Sequence, residues 1–413
     1  MAAPPGTPAA RLRIGVDVNP LRPPYTGVGN YELWLLDALL ALEADLALDG
    51  FGRFGWCAVD ADFIAARMGG GSKAGAGPSP VHPAPQSASR RIVGAMERAA
   101  RGSSLARASI AALRGSTYAR SAGTRRLDAF HAFMYRAPAR VEAVPVIPVI
   151  YDLSHVRHPE FHPAGRLRWM EGVAEECQRA PLVHTISAFT AREIVSVWGV
   201  PRERIHVVPP AVSDVFRDPA KADPGVLARL GLRAGGYALT VSTLEPRKNL
   251  STLLDAYGRL PAAERERLPL VVSGAPGWGG VRLEDHPLVR SGAVRLAGYV
   301  SDRELAALYR GARIMLYPSI YEGYGMPVIE ALAVGAPVVA SDAASMPEAL
   351  AGHGRLVDPH DVPGWTESLR EALADDSLQT EDRRAARSAH ATAWRWHDAA
   401  ERVLAMYRAI AGS

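Results

Sequence analysis

Two patterns alternate along the chain. Short apolar runs of the kind buried on both faces, among them "VPVIPVI", "YALTVST", "LPLVVSG" and "RIMLYPS", are separated by stretches with apolar residues three and four apart. This alternation predicts parallel-sheet α/β layers. In the first half "RLRIGVDV" reads as a strand, followed by a loop and a helix from Tyr31 with Leu35, Leu36, Leu39 and Leu40 on one stripe. "VPVIPVI" and "PLVHTI" are further buried strands. The second half restarts the pattern with strand "YALTVST" and helix "NLSTLLDAYGRL", whose Leu250, Leu253, Leu254 and Tyr257 face inward. Strands "LPLVVSG" and "AVRLAG" follow, then the helix "SDRELAALYRGA", opened by a capping box of Ser301 with Glu304. "RIMLYPS" and "PVVAS" complete the run. Pro209 and Pro210 in "IHVVPPAVSDVF" suit a stiff connection between the halves, and a helical tail from about Asp382 has no strand after it. The economical picture is two doubly wound domains facing a cleft, with ligands expected beyond the carboxyl ends of the strands.

Composition bounds this picture. A chain of 413 residues exceeds one ordinary core, and 48% apolar residues suit a globular enzyme. Cys57 and Cys177 are far apart in sequence and fit neither a disulfide framework nor a metal knuckle, which suggests a reducing compartment. The N-terminal "MAAPPGTPAARLRIGVDV" lacks the charged head and apolar stretch of a signal peptide, and no apolar run is long enough to span a bilayer. A cytoplasmic protein is expected. From Ala84 to Arg126 nine arginines stand against one acid, Glu97. Segment 84–126 suits peripheral contact with the anionic inner face of the cytoplasmic membrane, and equally a solvated helix pair. It follows a low-complexity run, "MGGGSKAGAGPSPVHPAPQSAS", read as a surface loop. Basic charge without aromatic interleaving argues against nucleic-acid binding. With only Lys73, Lys221 and Lys248 beside 44 arginines, each lysine merits inspection.

Three loops carry candidate chemistry. In "YEGYGMPVIEALAVGAPVVAS" a helix is expected from about Pro327 to Val334, stopping at Gly335. Glu322 then lies in the loop after a strand and Glu330 one turn into the helix, so both can reach one cleft from different heights. Gly323 and Gly325 allow close backbone approach to a ligand, although a helix-capping loop with one surface Glu fits as well. In "TLEPRKN", Arg247 and Lys248 sit after a strand and beside a helix start. Two cations there suit a diphosphate, and without an anion they would oppose the helix dipole. In "NPLRPPYTGVGNY", Gly27 and Gly29 free the backbone to meet an anion at the first helix, and an ordinary turn explains them equally well.

These segments together resemble the nucleotide-sugar site of retaining family 4 glycosyltransferases of GT-B architecture. "SIYEGYGMPVIEALAVGAPVVASDAASMPEAL" carries the likeness most specifically. "STLEPRKNL", "GAPGWGG", "LAGYVSDRELAALYRGA" and "YDLSHVRHPEFHP" point to the branch with polysaccharide and O-antigen mannosyltransferases. The likeness runs from Leu12 to about Asp358 and is loose between Gly50 and Arg126. It implies two Rossmann-like domains: 1–208 binding the acceptor and 209–385 binding the nucleotide sugar, with a final helix, 386–413, packing back on the first. Carried over by position, Glu322 would contact the donor sugar's hydroxyls, Glu330 the ribose, and the backbone of Gly323, Tyr324, Gly325 and Met326 the sugar. Arg247 and Lys248 would hold the diphosphate, with Gly27 and Gly29 closing from the other domain. The branch usually has a His before the Asp of the first-domain loop, whereas this chain has Tyr151 before Asp152. Tyr151 or Asp152 would take over that role, and Tyr151 and His155 are candidate acceptor contacts. The family's interdomain Asn-Gly-Val is Pro210-Ala211-Val212 here, which would stiffen the hinge.

The resemblance implies transfer with retention, in which a leaving-group phosphate oxygen takes the acceptor's proton. It implies no cofactor and no metal; the partners are a nucleotide-sugar donor, GDP-mannose favoured over dTDP-rhamnose and UDP-hexoses, and a glycan or lipid-linked acceptor. Oligomeric state is left open. Paired carboxylates also suit a glycoside hydrolase, but that chemistry gives the Arg-Lys loop no role. A pyridoxal phosphate phosphorylase would need a Schiff-base lysine that three lysines scarcely supply. A nucleotide-sugar epimerase and a catalytically idle scaffold remain alternatives. His155, His158 and His162 resemble a metal cluster, yet Pro159 and Pro163 break the helix that would align them. Ser187 is read as an N-cap, His131 as core or loop packing after a strand, and Trp278 as a base-side loop or a packing anchor.

Overall fold

The computed structural model describes residues 12–22, 25–42, 45–53, 55–68 and 104–412. The residues before Leu12, Lys73, nearly all of the low-complexity run and the 84–103 part of the basic segment lie outside the described residues.

Thirteen strands form two sheets among the described residues. The first comprises β1 (Leu12–Asp17), β2 (Leu46–Phe51), β3 (Trp56–Val59), β4 (Ala129–Ala132), β5 (Val146–Ile150), β6 (Val183–Thr185) and β7 (Ile205–Val207). Their order is β3-β2-β1-β4-β5-β6-β7, with β3 antiparallel to β2. The second comprises β8 (Ala238–Val241), β9 (Leu270–Ser273), β10 (Val294–Gly298), β11 (Ile314–Tyr317), β12 (Val338–Ser341) and β13 (Arg355–Val357), ordered β10-β9-β8-β11-β12-β13. Every pairing in it is parallel. The predicted two-sheet α/β architecture is present.

By compactness the chain divides into Met1–Val149 with Arg179–Val183 and Val403–Ser413, and Ile150–Gln178 with His184–Arg402. This division has no boundary at the expected 208/209 and places the loop after β5, with Tyr151 and Asp152, in the unit that holds the second sheet.

In the first unit the helix Gly27–Leu42 begins four residues before the expected Tyr31, so Gly27 and Gly29 are helical rather than loop residues. Gly29 is fixed by packing: a Cβ there would lie 2.6 Å from the Pro20 carbonyl oxygen. His131 lies within β4 rather than after a strand, fully buried, with Nδ1 2.7 Å from the Tyr407 hydroxyl. That contact ties the returning end of the C-terminal helix Trp396–Ala411 to this unit. In the basic segment, helix Ser104–Ala122 turns Arg114 onto buried Asp17 (2.9 Å), and Arg125 pairs with Asp49 (2.9 Å). These two arginines serve internal acids.

The second unit shows why its strands read as continuous apolar runs. Side chains alternate across a strand, and both faces here are covered. In β11, Met315 and Tyr317 join one core with the helices Asp302–Gly311 and Met326–Ala333. Ile314 and Leu316 join the opposite core with Leu250–Gly258 and Val362–Ala374. The four residues predicted to face inward, Leu250, Leu253, Leu254 and Tyr257, are all buried, and the Ser301–Glu304 capping box is formed. Parallel strands deliver the loops after β8 and β11 to the same edge of the sheet.

Candidate active site

The loop after β8 is wound into a single 3-10 turn, Pro246–Lys248, and closes on Asn249 in the left-handed region (φ 55°). Asn249 is held there by its side-chain amide, which donates to the Pro318 carbonyl at 3.1 Å and the Pro359 carbonyl at 2.6 Å. This turn faces the loop after β11. Ile320 N–H donates to the Arg247 carbonyl (2.9 Å), and the Arg247 guanidinium donates to the Tyr321 carbonyl (3.1 Å).

Glu322 sits at the centre of the two loops and is buried. Its Oε1 accepts from Ser319 Oγ (2.6 Å), Tyr317 OH (3.0 Å) and Lys248 Nζ, and its Oε2 lies 2.7 Å from Arg247 Nη1. Lys248 Nζ also donates to Tyr317 OH at 2.9 Å. A second acid, Glu245, accepts from Arg247 Nε at 3.0 Å and from Thr243 Oγ1 at 2.8 Å. The two cations expected to lack an internal anion therefore have two.

The electrostatics follow from this arrangement. Burial alone would raise the Glu322 pKa, but Arg247 and Lys248 bring it down to about 2. Burial lowers Arg247, yet Glu322, Asp152 and Glu245 outweigh it and hold the guanidinium above its ordinary value. Lys248 is lowered by burial and by Arg247, with Glu322 acting against them. The group is a desolvated, charge-balanced cluster in which both cations share one carboxylate.

Asp152 adjoins it. Its negative charge helps to raise the Arg247 pKa, and a Cβ on Gly323 would overlap the Tyr151 carbonyl oxygen and lie 3.3 Å from Asp152 Cβ. Only glycine lets the two loops approach this closely. Gly325, at φ 99°, precedes the helix Met326–Ala333, and a Cβ there would overlap Met346. The helix begins at Met326, one residue before the expected Pro327, while Tyr324 and Met326 are partly buried.

Glu330 is placed differently. Its Oε2 accepts from Tyr309 OH at 3.3 Å, and burial with nearby Asp302 pushes its pKa up to about 8 against the lowering effect of Tyr309. Glu322 and Glu330 share no partner among the described residues: one is held ionised by cations, the other favours its neutral form. Tyr151 is buried, its carbonyl covering Gly323. His155 is partly buried, 6.0 Å from the Trp198 ring, and burial lowers its pKa to about 4. Gly27 and Gly29 belong to the first unit. His155, His158 and His162 take separate partners: the Trp198 ring, Glu160 (3.1 Å) and Ser154 (2.9 Å). Trp278 is an anchor whose indole N–H donates to the Phe161 carbonyl at 2.7 Å. Ser187 caps the helix Ala188–Trp198 by accepting from Thr190 N–H.

Sequence reading missed Glu245, Tyr317 and Ser319. Glu245 was visible two residues before Arg247, at a spacing that lets the carboxylate fold back on the guanidinium. Tyr317 ends a strand, and nothing local marks its hydroxyl as a partner of Glu322.

Residues 234–390 match the family model described as Glycosyl transferases group 1, and 78–215 that of Glycosyltransferase Family 4. O-antigen chain mannosyltransferase B of Escherichia coli is 36% identical over 291 residues, 68% of this chain and 74% of that protein. Serotype-specific mannosyltransferase WbdA of Escherichia coli is 28% identical over 243 residues, 57% of this chain but 29% of that much longer protein. The crystal structure of WaaG, a glycosyltransferase involved in lipopolysaccharide biosynthesis, superposes with a TM-score of 0.67 at 14% identity, covering 97% of this chain and 100% of that one. The chain belongs to the family 4 glycosyltransferases of GT-B architecture, in the branch of the O-antigen mannosyltransferases.

Proposed function

We propose that this protein is a retaining mannosyltransferase that moves mannose from GDP-mannose to a glycan or lipid-linked oligosaccharide acceptor in cell-surface polysaccharide assembly. The observation that carries this reading is the buried cluster in which Arg247 and Lys248 share Glu322 at the carboxyl ends of β8 and β11. The likeness to O-antigen chain mannosyltransferase B supports the choice of sugar.

Arg247 and Lys248 hold the donor diphosphate and stabilise the negative charge that grows on it as the glycosidic bond breaks. Loss of one preorganised donor of this type costs about 2.7–4 kcal/mol of transition-state stabilisation. Glu322 turns from the cations toward the sugar hydroxyls, Glu330 meets the ribose, and the glycine-relieved backbone from Gly323 to Met326 cradles the sugar. Asp152 stands beside the reacting centre, with Tyr151 and His155 toward the acceptor. A leaving-group phosphate oxygen takes the acceptor proton, so the reading assigns neither a metal nor a cofactor. Gly27 stands at the start of the first helix, while the Gly29 N–H donates to Thr26 Oγ1 at 3.5 Å and would have to exchange that partner for the donor.

The test is incubation of the protein with GDP-mannose, dTDP-rhamnose and UDP-hexoses, each with and without glycan acceptor. The expected result is acceptor-dependent release of GDP from GDP-mannose and an α-linked product. An inverted product, transfer from another donor alone, or donor consumption without acceptor would overturn the assignment, the last pointing to an epimerase.

A further inference from the structure

The motif "YDLSHVRHPEFHP" contains a partly buried hydrogen-bonded chain from Asp152 through Ser154 to His162, of which the proposed chemistry uses only Asp152. Asp152 Oδ1 accepts twice from Ser154, from its hydroxyl at 2.6 Å and its backbone N–H at 2.9 Å. Ser154 Oγ lies 2.9 Å from Nε2 of His162, eight residues on. Ser154 and His162 are both buried, 3% and 9% exposed. The turn geometry alone accounts for the Asp152–Ser154 contacts, but not for an imidazole placed on the serine.

Donor and acceptor chemistry fixes the direction of the chain. An ionised carboxylate only accepts, so the Ser154 hydroxyl proton points at Asp152. The serine oxygen is then the acceptor, and His162 donates through Nε2–H. His162 Nδ1 is left as a bare lone pair, and it is buried without a hydrogen-bond partner among the described residues. The imidazole is locked from the far side: Trp278 donates to the Phe161 carbonyl at 2.7 Å, and its ring centroid lies 6.2 Å from that of His162. The Arg166 guanidinium lies over the Trp278 ring at 5.5 Å.

We propose that His162 is a positioning residue: through Ser154, and as the neutral Nε2–H tautomer, it fixes the Asp152 carboxylate beside Arg247 and Glu322. The inference rests on the transferase reading, in which Asp152 lies at the reacting centre. Both donors of Ser154 go to Oδ1, so the orientation of the carboxylate is set and Oδ2 is left without a protein partner among the described residues. A small displacement of such a group is felt in the chemical step more than in donor binding.

Three single variants, one double variant and one spectrum test it. His162→Phe keeps a ring against Trp278 but removes the donor; His162→Gln returns an N–H near the Nε2 position; Ser154→Ala cuts the chain in the middle. His162→Phe and Ser154→Ala are each expected to lower kcat about tenfold or more while KM for the nucleotide sugar moves less than about threefold. The glutamine variant should recover most of the loss, and the double variant S154A/H162F should be no worse than either single one. A kcat within about twofold of wild type in His162→Phe, a loss in KM alone, or losses that multiply in the double variant would overturn the proposal. Nitrogen-15 NMR of the histidine side chains, with His162 assigned by its disappearance in H162Q, should show the Nε2–H tautomer at neutral pH. An Nδ1–H imidazole contradicts the chain whatever the activity. A wild-type protein that shows the Nε2–H tautomer yet transfers no sugar contradicts the transferase reading instead.

Discussion

Glu322 is a carboxylate shared by two cations. It is the counter-anion of both Arg247 and Lys248, and the cluster is neutralised from within. In the proposed reading a donor diphosphate would bring its own negative charge to those cations and release Glu322 to the sugar. Breaking a buried ion pair by deleting one partner costs about 3–5 kcal/mol, because the other charge stays buried and uncompensated. Glu322→Gln should therefore unfold at a lower temperature than wild type. It should also gain a larger thermal shift from GDP, because the ligand now supplies the missing anion. Transfer should fall sharply in the same variant. Differential scanning fluorimetry with and without GDP checks this; an equal or smaller shift than wild type means that Glu322 does not compete for the cations.

At the scale of elements, what local patterning reveals depends on where each strand finds its partners. The strands β8, β9, β11 and β12 are buried on both faces and, with the half-buried β10, were legible as runs, whereas the short β13, "RLV", was not. The segment β2, "LALDGF", was not, because Asp49 and Gly50 interrupt it. Asp49 is tolerated through its pairs with Arg13 (2.6 Å) and Arg125 (2.9 Å), and Gly50 because a Cβ would lie 2.7 Å from Val18 and 2.8 Å from Val59. Strand β4 hides likewise, since His131 is made acceptable by Tyr407, 276 positions away. Such compensation comes from distant residues and leaves no periodicity. The same limit applies to the first helix: the stripe from Tyr31 was readable, its true start at Gly27 was not. Its two glycines differ in kind. A Cβ at Gly27 meets nothing within 4 Å, whereas one at Gly29 collides with the Pro20 carbonyl. Gly27→Ala should thus raise the unfolding midpoint, by an amount corresponding to about 0.4–1 kcal/mol, through lost freedom in the unfolded chain. Gly29→Ala should lower it by an overpacking cost of about 1–3 kcal/mol. Urea titrations of the two variants decide this, and equal effects would show that the helix start is not packed as described.

For the whole molecule, the sequence made the two-sheet α/β architecture and the carboxyl-edge loops legible, and it singled out Arg247, Lys248 and Glu322. It did not reveal that these three form one salt-bridged group, nor that Asp152 belongs to the same compact unit, because both depend on loops more than 70 residues apart. Among the described residues no helix is long and apolar enough to cross a membrane. The account rests on the cationic pair receiving the diphosphate of a sugar donor, and steady-state transfer by Arg247→Ala measures this most directly. The account predicts a fall in kcat/KM of at least about tenfold, equivalent to roughly 1.4 kcal/mol or more, with the fold retained by circular dichroism. Near-normal transfer by that variant would contradict it.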